Sequence, residues 1–159
     1  MTRADLLAGA LDQFIAVSPE VEAAAIVSAD GLPIASALPD RVEEERLAAM
    51  SAALLILGER AAGGMGKGEL SQIMVETDEG YVILMSAGPQ AVLIAMTSGQ
   101  AKAGLLLFEM RRMAESVAEI LSGAPAGGDE SAARDRQVLK DERFARGDGG
   151  DQPSVTTWR

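Results

Sequence analysis

A chain of 159 residues is long enough for one domain with a substantial core. It contains no cysteine and no histidine, which excludes disulfides, thiolate nucleophiles, Cys/His zinc sites and the commonest general acid–base. Acids outnumber bases 24 to 14, for a net charge of −10, and only 3% of residues are aromatic. Such a chain repels phosphate backbones and offers few stacking platforms, so nucleic acid is not an expected partner.

The opening MTRADLLAGALDQF has acids and helical periodicity where a signal peptide needs a basic segment and an unbroken apolar run. A soluble, cytoplasmic protein is expected. Residues 2–17 read as an amphipathic helix. Thr2, with Asp5 three residues on, resembles a capping box in which Asp replaces the usual Glu or Gln. Leu7, Leu11, Phe14 and Ile15 form its apolar stripe, and Ser18-Pro19 ends it. In VEAAAIVSADGLPIASAL, residues 21–38, Asp30-Gly31 lies between two short apolar runs and predicts a hairpin with a two-residue turn.

A second helix is expected over Arg41–Ala62, with Glu43, Glu44 and Glu45 near its start, where the helix dipole favours acids. Its body, LAAMSAALLILG (47–58), is apolar at ten of twelve positions. Glu59 and Arg60 interrupt the run before the roughly 20 residues that a bilayer requires, so no membrane span is expected. On a helical wheel Leu47, Met50, Leu54 and Leu57 form one stripe of large side chains. Ala48, Ala49, Ala52, Ala53 and Ile56 occupy most of the remaining circumference. A helix apolar almost all round is buried on more than one side. Alone on one face of a small sheet it would leave its back in water, and a twofold partner is the commonest cover. The competing reading is that the alanines are good helix formers on an exposed face.

GGMGKG (63–68) superficially suggests a phosphate loop, but Gly68 follows Lys67, position 61 is Ala, and the segment leads from helix to strand. It reads as a loop. LSQIMVE (70–76), YVILMSA (81–87) and AVLIAMT (91–97) are strands whose short links make an antiparallel meander. Tyr81, Ile83 and Met85 alternate with Val82 and Leu84, so this sheet requires cover on both faces. Ser98 is the expected cap of a last helix, about 100–122. Leu106, Met110, Met113, Val117 and Ile120 form its stripe, with Arg111, Arg112, Glu115 and Glu119 away from it. Met96, Met110 and Met113 would suit an adaptable binding surface, but their spacing points to the core. Residues 123–159 are rich in Gly, Asp and Arg and read as a disordered tail, in which Val138, Leu139, Phe144 and Trp158 are candidates to order on a partner. Asp148 and Asp151 echo a calcium loop with the wrong spacing, and no cofactor or metal site is expected.

The order helix, strand, strand, helix, three strands, helix fits an α/β fold: an α-β-α sandwich whose five-stranded antiparallel sheet carries one helix on one face and two on the other. The hairpin VSADGLPIAS, the long apolar helix, the hairpin VETDEGYVIL and GPQAVLIAMT before the last helix give residues 3–122 their resemblance. This domain, taken as residues 1–122, resembles the roadblock family, a profilin-like architecture. The family is named for the dynein light chain roadblock and includes the gliding-motility protein MglB, a regulator of a small Ras-like GTPase.

The resemblance implies a homodimer, or a heterodimer with a related chain, in which the second helices pack together and the third strands pair across the dyad. It also implies a small Ras-like GTPase as partner and no catalytic residue. Together with the helical wheel, it assigns the dimer interface to Ala49, Ala52, Ala53, Ile56, Arg60, Ile73, Met74 and Val75. The expected function is a non-catalytic, dimeric regulator that activates or binds the GTPase. The alternative is a scaffold of the same type with no effect on nucleotide turnover. An arginine supplied in trans would be Arg41 or Arg60. An enzyme would instead need a carboxylate pair, or Lys67 or Lys102 in a concave pocket.

Overall fold

A computed structural model describes residues 1–123; the expectations for the tail lie outside the described residues. The elements are α1 (Arg3–Val17), β1 (Val21–Ser28), β2 (Pro33–Ala37), α2 (Glu44–Gly64), β3 (Gln72–Thr77), β4 (Gly80–Ser86), β5 (Ala91–Thr97) and α3 (Ala103–Ser122). The strands form one sheet in the order β2-β1-β5-β4-β3, with every neighbouring pair antiparallel. The expected meander is present. Pairing of β1 with β5 joins it to the first hairpin and leaves β2 and β3 at the edges.

Local chemistry explains where the elements begin and turn. At the start of α1, Asp5 N–H donates to Thr2 Oγ1 at 3.2 Å and Thr2 N–H donates back to Asp5 Oδ2 at 2.9 Å. The shorter Asp completes the reciprocal cap, satisfying two donors that the first helical turn leaves without partners. The first hairpin differs from expectation. Gly31 N–H donates to the Ser28 carbonyl, and Ser28 N–H donates to the Leu32 carbonyl. The loop is therefore three residues, Ala29-Asp30-Gly31, and Gly31 sits at φ 89, the left-handed position that ends such a turn. The second hairpin is tighter: Thr77 pairs with Gly80 across Asp78-Glu79. A Cβ on Gly80 would overlap the Thr97 carbonyl oxygen, so only glycine lets β4 begin this close to β5.

Ser98 does not cap α3. Its N–H donates to the Glu20 carbonyl, its own carbonyl accepts from Ala101 N–H, and this turn delays the helix until Ala103, with Lys102 at the cap position. The second helix also runs two residues beyond Ala62, through Gly63 and Gly64.

The sheet is covered on both faces, as its apolar alternation requires. On one face α1 contributes Leu7, Leu11 and Phe14, and α3 contributes Leu106, Met110, Met113, Ala114 and Val117. They pack on Ala24, Ile26, Ile83, Met85, Leu93 and Ala95. On the other face Ala48 and Leu55 of α2 pack on Ala25, Val27, Leu84, Val92 and Ile94. The one-helix and two-helix layers thus follow the expected α-β-α sandwich. Of the three methionines in question, Met110 and Met113 are buried in the first core; Met96 is half-buried on the α2 face.

Candidate interaction surface

The α2 side of the sheet is where burial is incomplete. The helix turns Ala48, Ser51, Ala52 and Leu55 inward. Ser51 keeps its hydroxyl satisfied by donating to the Leu47 carbonyl at 2.8 Å. Small inward residues let the helix lie close to its neighbours: a Cβ on Gly31 would stand 3.1 Å from Ala52 Cβ, and one on Gly58 would stand 2.8 Å from Leu70 Cδ2 and 2.9 Å from Ile73 Cδ1. Three larger side chains face out. Met50 is 51% exposed, Ile56 49% and Leu57 62%.

This setting sorts the residues assigned to an interface. Ala49, Ala53, Ile56 and Arg60 stand on the exposed side of α2. Ala52 does not; it is buried against Gly31 and belongs to the domain's own packing. Met50 and Leu57, read as members of the large-residue stripe, are exposed and continue the outer surface. On β3, Ile73 and Val75 pair with Leu84 and Val82, on the α2 face, whereas Met74 pairs with Ile83 and packs in the α1/α3 core. β3 is an edge, so its outer backbone groups have no strand partner among the described residues.

Beside the first turns of α2 lies a cleft of ≈ 340 Å³ lined by Arg41, Val42, Glu43, Arg46, Leu47, Met50, Val82 and Met96. Met50 joins this cleft to the outer face. Arg41 lies 4.0 Å from Glu22, the single ion pair among the described residues, while Arg60 stands exposed near the other end of α2. Lys67 and Lys102 are exposed as well. Among the described residues the resolved proton-affinity change is at Asp5: hydrogen bonds from the Thr2 side chain, then from its backbone, hold that carboxyl below its ordinary value. That is a helix cap, remote in kind from chemistry at a site. GGMGKG supplies the last turn of α2 and an open loop, with Gly66 at φ 64 and Gly68 at φ 85.

By length and composition α2 is the one helix among the described residues that is long and apolar enough to cross a membrane. The expectation that it falls short counted only the uninterrupted run; the helix has 21 residues and includes Glu44, Glu45, Arg46, Glu59 and Arg60. Here its apolar character serves the sheet on one side and an open surface on the other.

A Roadblock/LC7 domain family model matches residues 7–97, from α1 to the end of β5. The chain belongs to the Roadblock/LC7 family. Among its relatives, the uncharacterized protein MJ1340 of Methanocaldococcus jannaschii is 35% identical over 97 residues, covering 61% of this chain and 84% of that protein. The crystal structure of a Roadblock/LC7 domain from Streptomyces avermitilis superposes with a TM-score of 0.68 at 26% identity, covering 72% of this chain and 97% of the other. Myxococcus xanthus MglB superposes with a TM-score of 0.71 at 16% identity, covering 79% and 95%, a likeness of fold. The roadblock assignment and the sandwich architecture read from the sequence both hold.

Proposed function

We propose that this roadblock chain is a non-catalytic, dimeric regulator of a small Ras-like GTPase, acting in the cytoplasm. The observation that carries the reading is the outer face of α2: a helix already packed on its sheet still exposes Met50, Ile56 and Leu57 next to an open strand edge. Water is a poor solvent for that combination, and a second copy placed α2 to α2 and β3 to β3 would cover both parts together. Family membership and the fold shared with MglB support a GTPase as the further partner.

Regulation without catalytic side chains works through differential affinity. A GTPase has two conformations, because its switch loops are held by the γ-phosphate and released on hydrolysis. A binding surface shifts that equilibrium only by the difference in its affinities for the two. A tenfold preference for the GTP form, about 1.4 kcal/mol, is a modest demand on a rigid surface. The test is titration with the cognate GTPase, loaded with a non-hydrolysable GTP analogue or with GDP, alongside a turnover assay. Tighter binding of the GTP form is expected. Equal affinities with unchanged turnover would leave the scaffold function in its place.

A further inference from the structure

The other side of the domain has a surface that the α2 face does not explain. α3 presents Leu105, 56% exposed, and Phe108, 55% exposed, one turn apart on its outer side. Lys102 precedes them, and Arg111 and Arg112 follow at the three- and four-residue spacing that puts side chains on one face. The described residues hold 17 acids and 8 bases, yet every charge pointing outward between Lys102 and Arg112 is basic. The acid within this span, Glu109, is half-buried and accepts the hydroxyl of buried Ser18 at 2.7 Å, which ties it to the end of α1. Lys102, Arg111 and Arg112 have no ion-pair partner among the described residues. Alongside runs a cleft of ≈ 410 Å³ between α1 and α3, whose walls include Gln13, Val17, Glu109 and Arg112.

We propose that this half of α3 and the neighbouring cleft dock an acidic segment of a partner protein that carries a large apolar side chain. The apolar group would rest against Leu105, Phe108 and Val17, and its carboxylates would meet the three unpartnered cations. The first turn of α3 adds to the attraction, since it carries no acid and Lys102 gives it no side-chain cap. Charge decides between a peptide and an anionic bilayer. Glu20 shares a small cleft with Lys102 and Leu105, and Glu115 follows in the next turn, so a flat lipid surface would press headgroups onto carboxylates. A narrow segment fits between them.

The experiment uses the full chain and synthetic amphipathic peptides with Leu and Phe anchors, whose polar positions are Glu, Gln or Lys. Phosphatidylserine vesicles form a separate arm. The Glu peptides should bind best and weaken with salt. Arg111→Glu with Arg112→Glu should weaken them by about tenfold, and Phe108→Ala should do likewise. Arg111→Lys with Arg112→Lys should retain binding, and so should Lys67→Glu, a charge reversal in the exposed loop after α2. Circular dichroism of each variant confirms that these exposed changes leave the fold intact. The proposal is overturned by an absence of Glu-peptide binding, by equal binding of Glu and Gln peptides, by an equal loss through Lys67→Glu, or by Phe108-dependent binding to vesicles alone.

Discussion

The two faces of the sheet are built by opposite rules. Under α1 and α3, large side chains point inward and interdigitate: Leu7, Leu11, Phe14, Met110 and Val117 are all buried. Under α2, three of the four buried residues (Ala48, Ser51 and Ala52, beside Leu55) are small, and Met50, Ile56 and Leu57 point out. Both faces look equally apolar in the sequence. The difference lies in how the apolar surface is placed: the first core is filled by large side chains from two helices, with Leu105 and Phe108 outside it, whereas α2 leaves Met50, Ile56 and Leu57 beyond what its sheet covers. An unusually apolar helix in a small domain therefore calls for a count of what the sheet actually buries.

The comparison can be broken at several points. The largest effect is expected at Met110, which is fully buried. Met110→Ala leaves a cavity and should cost about 2–5 kcal/mol in urea unfolding, while Ile56→Ala, measured on dilute monomer, should stay within about 0.5 kcal/mol. Similar costs at both sites would mean that the faces do not differ. Next comes self-association. Ala53→Glu with Ile56→Glu should weaken the proposed dimer by about 3 kcal/mol or more, because unpaired charges would be buried at its centre. Light scattering across a dilution series reads this, and an unchanged dimer would remove α2 from the interface.

A finer contrast lies between adjacent residues. Ala52→Leu must push against the Gly31 turn, and overpacking should cost about 1–3 kcal/mol in thermal or urea unfolding. Ala53→Leu, on the exposed side, should leave the unfolding midpoint nearly unaltered. Should both prove neutral, the helix is rotated from the position described. The smallest effect concerns the α1 cap. Asp5 has its folded pKa lowered by the Thr2 hydrogen bonds, so its contribution is present above the ordinary value of 3.8 and is lost as pH falls through the lowered folded value. Asp5→Ala should flatten the part of the acid dependence seen between about pH 5 and pH 2. A pH profile of the unfolding midpoint identical to the parent's would show that the cap does not report on stability.

Much of this architecture is legible in the residues because local contrast is high. Leu106, Met110, Met113 and Val117 repeat against charged neighbours, so the buried face of α3 is unambiguous. Thr2 and Asp5 announce the start of α1. The rotation of α2 is not legible, because a helix apolar all round has no contrast to read. Its setting depends on distant residues that permit close approach, Gly31 in the first hairpin and Ala25 on β1 among them. For this reason the pattern alone does not separate Ala52, which is buried, from Met50 and Leu57, which are exposed. The apparent cap at Ser98 misleads similarly: its backbone is engaged by Glu20, nearly eighty positions earlier in the chain, which no local pattern reveals. The loop of the first hairpin follows from the φ of Gly31, and Asp-Gly in sequence does not say which turn position the glycine will take.

The two rims of the sheet have unequal capacity for growth. β2 is five residues long and starts at Pro33, which has no N–H to give a neighbouring strand, whereas β3 runs six residues from Gln72 to Thr77 with no proline. Joining two copies through β3 would leave only β2 rims outside. Recruitment of a third copy by the same contact is then impossible, so strand addition at this rim ends with a pair and cannot propagate into a fibre.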